Sequence, residues 1–74
     1  MEPLDILAQS NQCLISDLRY CAAERCSIEE LLRHDAMEFS VEGWNALLQY
    51  IFPGAPRFMK QTEARDYLNR HWGR

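Results

Sequence analysis

The sequence predicts an all-α domain, and three observations carry that expectation. Apolar residues recur at helical spacing in several stretches. Cap-type residues stand at the starts of those stretches, and proline with glycine closes the most apolar of them. In the most apolar run a strand reading fails, because Glu42, Gly43, Asn45 and Gln49 do not alternate with apolar residues. A chain of 74 residues with 47% hydrophobic content supports one folded unit, residues 1–74, with a modest core. The expected architecture is a small four-helix bundle-like domain with a long N-terminal helix.

The first helix is expected to start at Pro3, which suits a first turn, with Asp5 placed against the helix dipole. No glycine or proline interrupts it as far as Arg25. Leu4, Leu7, Leu14, Ile15, Leu18 and Ala22 form one stripe, and Asn11 falls within it. In a coiled-coil seam such an asparagine sets register; in a single domain it is satisfied by a neighbour or by water. A second line, Ile6, Cys13 and Tyr20, repeats every seven residues on nearly the opposite side. It reads either as scattered surface residues or as a second interface, to a partner or to a copy of the same chain through helix one.

Ser27-Ile28-Glu29-Glu30 matches a capping box and marks a second helix to about His34, with Ile28, Leu31 and Leu32 inward. Asp35 is expected to start a turn that lets Ala36, Met37 and Phe39 cover the core. Ser40 then caps the central helix, where Val41, Trp44, Leu47, Leu48, Ile51 and Phe52 share one broad face. Gly43, Ala46 and Tyr50 form a strip along which another helix can come close. Pro53-Gly54-Ala55-Pro56 is a loop, and Phe58 and Met59 are expected to plug the core. Thr62 is expected to cap a last helix to about Trp72, with Ala64, Tyr67, Leu68 and His71 on one side. Arg65, Asp66, Asn69 and Arg70 point outward, with Asp66 and Arg70 spaced to pair.

Several function classes find no support. Cys13, Cys21, Cys26, His34 and His71 show no C-x-x-C or H-x-x-x-H spacing, so no metal or other cofactor is implied. An odd cysteine count points to reduced thiols in a cytoplasm rather than to a disulfide framework. No apolar run is long enough to span a bilayer, and no basic region precedes an apolar one at the N-terminus. His34-Asp35 stands alone, no nucleophile motif accompanies it, and the expectation is a protein that is not an enzyme.

The net charge of −3 argues against general nucleic-acid binding. It is unevenly placed: residues 1–38 carry eight acids and three bases, residues 39–74 three acids and five bases. Drawn as a helix-turn-helix, residues 27–52 would offer a recognition helix without lysine or arginine. The basic tail is the better candidate, through Arg57, Lys60, Arg65, Arg70 and Arg74 beside Phe58 and Trp72. Within it Gln61-Thr62-Glu63-Ala64-Arg65-Asp66-Tyr67-Leu68 resembles the first helix of excisionase-type winged-helix proteins, a resemblance confined to that stretch.

The expected function is therefore a non-enzymatic, acidic protein–protein interaction module. Its partner-binding residues are expected to be Ile6, Cys13, Asp17, Tyr20 and Glu24. The class is that of small regulators or inhibitors of larger host machines, of the kind carried by phages or mobile elements. Asp17, Glu24, Glu29 and Glu30 could mimic phosphates toward a nucleic-acid-handling complex. A small DNA- or RNA-binding regulator using the basic tail is the alternative.

Overall fold

The computed structural model describes residues 2–18 and 27–72. Helix α1 spans Pro3–Ser10, α2 Glu29–Leu32, α3 Val41–Ile51 and α4 Gln61–His71, with a 3-10 turn at Ala36–Glu38. Residues 15–18 make a further helical turn, and no strand occurs among the described residues.

Helix α3 forms where expected, and the core gathers on it. The Ser40 hydroxyl accepts from the Gly43 N–H at 3.0 Å, satisfying a free amide of the first turn. Trp44, Leu47 and Leu48 are fully buried, and Ile51 extends the same face. After Phe52 the chain turns through Gly54, whose φ of +93° is a left-handed value that glycine reaches without steric penalty.

Three elements pack on α3. The 3-10 turn is tied on by the Trp44 indole, whose Nε1–H donates to the Ala36 carbonyl at 2.8 Å. Phe39 meets the same ring edge-on at 5.6 Å. Helix α4 contributes Ala64 and Leu68, both fully buried. Helix α1 contributes Leu7 and Ala8, and its N-terminus lies against Gly43. A Cβ at that position would come within 3.2 Å of Pro3 Cδ and would collide with the Glu2 carboxylate, so α1 approaches at Gly43; Ala46, expected on the same strip, is exposed.

The long N-terminal helix is not present. Helix α1 stops at Ser10, Asn11 caps it, and Gln12 takes a φ of +55°. The physical reason is a competing set of bonds. Asn11 Nδ2 donates to the Leu7 carbonyl at 2.9 Å and to the distant Ser27 carbonyl at 2.9 Å, while its Oδ1 accepts from the Ser27 N–H at 2.8 Å. The Cys13 N–H returns to the Ala8 carbonyl at 3.1 Å, closing the turn. Asn11 is thus a satisfied residue that joins two segments of one chain.

That break moves side chains. Leu14, expected in the buried stripe, is 70% exposed, although Leu18 is fully buried. Met37 and Met59, expected over the core, are 64% and 89% exposed; Ala36, Phe39 and half-buried Phe58, expected with them, do pack there.

The Ser27 capping box forms only in part. Ser27 Oγ accepts from the Glu29 N–H at 3.1 Å, but Glu30 turns to Arg33 at 3.0 Å. The reciprocal pattern appears eight residues later, where Asp35 Oδ1 accepts from the Met37 N–H and Glu38 Oε1 from the Asp35 N–H. Thr62 lies inside α4 rather than at its cap, because Ala64 already bonds back to the Lys60 carbonyl at 3.2 Å.

Candidate partner-binding groove

With α1 ended at Ser10 and its end tied to Ser27, α1 and α2 lie side by side with a groove of about 480 Å³ between them. Ile6, Gln9 and Ser10 line it from α1, Glu30 from α2, and His34 from the turn that follows. Ile6 is half-buried: it packs on the core and still lines the groove. A smaller cleft of about 150 Å³ shares Ser10 and Glu30 and adds Asn11, Ser27, Glu29 and Arg33.

The polar groups here are mostly engaged with each other. Ser10 Oγ donates to the Leu7 carbonyl at 3.1 Å. The Arg33 guanidinium lies 3.0 Å from Glu30, both groups exposed. His34 Nδ1 lies 2.9 Å from Glu38 Oε2. That hydrogen bond, helped by the Asp35 N–H, holds the Glu38 carboxyl below its ordinary pKa. Ser10 and His34 are therefore each turned to a structural partner, not to each other as nucleophile and base would be. Among the described residues, no group of three His, Cys, Asp or Glu side chains is placed to hold a metal ion.

Of the residues expected to bind a partner, the structure places Ile6 on this groove. Cys13 lies beyond the end of α1, half-buried against the core, so Ile6 and Cys13 do not continue one helical line. Asp17 is exposed on the helical turn at 15–18. Tyr20 and Glu24 lie outside the described residues. Gln9 and His34 were not expected as partner contacts. Ile6 and Gln9 share a face as an i, i+3 pair, but that pairing gains meaning only once the helix is known to end at Ser10.

The basic residues divide as well. Arg57 and Lys60 are exposed on either side of Phe58. Arg65, expected to point outward, is half-buried, and its Nη2 donates to the Leu32 carbonyl at 2.6 Å, which caps the end of α2. Arg70 Nε lies 3.3 Å from Asp66, the pair expected from their spacing. Arg74 lies outside the described residues. Along α4, Tyr67 stacks on His71 at 4.1 Å and leans on Phe58 at 5.3 Å.

No helix among the described residues is long and apolar enough to cross a membrane. No protein-family model, curated protein or solved structure matches the chain.

Proposed function

We propose that this chain is a small, non-enzymatic protein-interaction module, a regulator or inhibitor of a larger protein machine, and that it holds its partner at the α1–α2 groove. The observation that carries the reading is Ile6, an apolar side chain only half covered by its own core and lining an opening of about 480 Å³. An apolar wall beside polar groups of fixed position is the usual makeup of a docking site. The proposal includes a bundle-like scaffold built round α3, a cytoplasmic setting with reduced thiols, and a partner that belongs to a nucleic-acid-handling complex. A second copy of the chain is the other occupant to test, and light scattering reads it directly.

The deciding experiment captures the partner with tagged protein and compares Gln9→Arg and Glu30→Arg with the unaltered chain. Both positions are exposed, so circular dichroism should be unchanged, and loss of the exposed Glu30–Arg33 pair should lower the melting temperature only slightly. Loss of capture by both variants, with Met59→Arg as a control outside the groove, supports the reading. Undiminished capture by both overturns it. Tight duplex DNA binding that falls steeply with salt and is lost on neutralising Arg57 and Lys60 would favour the nucleic-acid-binding alternative.

A further inference from the structure

We infer that the groove takes a cationic amphipathic segment of a partner protein, one apolar side chain against Ile6 and lysine or arginine toward Glu29, Glu30 and Glu38. The inference rests on the groove being the partner site proposed above, and it adds the chemistry of the occupant.

Charge around the opening is one-sided. Glu30 lines the groove itself, and Glu29 lines the cleft that shares its wall. Glu38 stands 2.9 Å from His34, which also lines the groove. Among the described residues, Arg33 is the one guanidinium or ammonium lining either opening, and it is already held by Glu30; the His34 ring is engaged with Glu38. Among the described residues, three carboxylates stand against one guanidinium and the His34 ring, a balance that attracts a basic segment and repels an acidic one or a phosphate backbone.

Charge alone would not fix a register, and the apolar wall supplies that part. Ile6 offers a surface for one side chain, flanked by the amide of Gln9. A segment with an apolar residue and basic residues at helical spacing meets both features at once, as in helix-in-groove recognition. Exposed carboxylates should act mainly on the rate of encounter, so affinity should fall with salt.

The test uses the full chain, labelled for NMR, and two short amphipathic peptides, one of leucine and lysine and one of leucine and glutamate. The lysine peptide should shift the amides of Ile6, Gln9, Ser10 and Glu30, and its affinity should fall about tenfold between about 0.05 M and about 0.3 M salt. Glu29→Lys with Glu30→Lys should reverse the preference, so that the glutamate peptide binds better. If both peptides shift the groove amides equally, or the reversal fails, the cationic occupant is refuted while the groove stands as a docking site. If neither peptide moves those amides, or if self-association of the chain occupies them, the inference falls; in the first case the docking site falls with it.

Discussion

Asn45 holds both backbone groups of Phe58: its Nδ2 donates to the Phe58 carbonyl at 2.9 Å, and its Oδ1 accepts from the Phe58 N–H at 2.8 Å. The side chain is only 3% exposed, so the segment leading into α4 is fastened to α3 by a buried amide. Asn45→Ala removes both bonds and leaves two part-buried backbone groups without that partner. The expected cost is about 2–4 kcal/mol, read by urea denaturation. An unchanged midpoint would mean that water replaces the amide at no cost.

Asn11 grips Ser27 in the same manner, but in a solvent-accessible setting. Asn11→Ala should therefore cost less, about 1 kcal/mol, because water can reach the freed groups. Hydrogen exchange at the Ser27 amide should accelerate well beyond that at Leu48 in α3.

Trp44→Phe keeps an aromatic ring and removes the indole donor. The Ala36 carbonyl, at 2.8 Å from Nε1, then loses its buried partner. Together with the lost ring volume this should destabilise by about 2–4 kcal/mol in thermal or chemical denaturation. The 3-10 turn at Ala36–Glu38 should be the first element to lose protection.

Glu38 sets a pH dependence. Its pKa is lower in the folded chain than its ordinary value, chiefly through His34 and then through the Asp35 N–H. A lowered folded value means that the stabilisation is complete above the ordinary carboxylate range. It is lost as the pH falls through the folded value. Side-chain carboxyl NMR should show Glu38 titrating below the ordinary glutamate value, and His34→Ala should move it back up. A midpoint that ignores the substitution would remove His34 as the cause.

The elements that sequence predicts well are those whose signals are local. Ser40, the Trp44-Leu47-Leu48-Ile51 face and Pro53-Gly54 define α3 without help from the rest of the chain. The Asp35 turn and the Asp66–Arg70 pair are equally short-range. What escapes is decided at long range. Nothing between Pro3 and Arg25 looks like a helix stop, since a Gln at positive φ is rare and carries no signature. The helix ends because Asn11 finds a partner at Ser27, a bond invisible in local pattern. The misplacement of Leu14 follows from that single event, and so does the unrecognised part of the groove, because both assumed an unbroken helix. Arg65 escapes for a similar reason: its partner, the Leu32 carbonyl, lies far back in the chain.

An amide that grips main chain is blind to the side chain on the residue it grips. Positions 27 and 58 can therefore drift among residue types as far as these clasps are concerned, proline excepted for want of an N–H. Positions 11 and 45 have no such freedom. Kin of this sequence, however far diverged, should be sought by asparagines set 16 and 13 residues ahead of the segments they fasten, before any likeness of the apolar residues between.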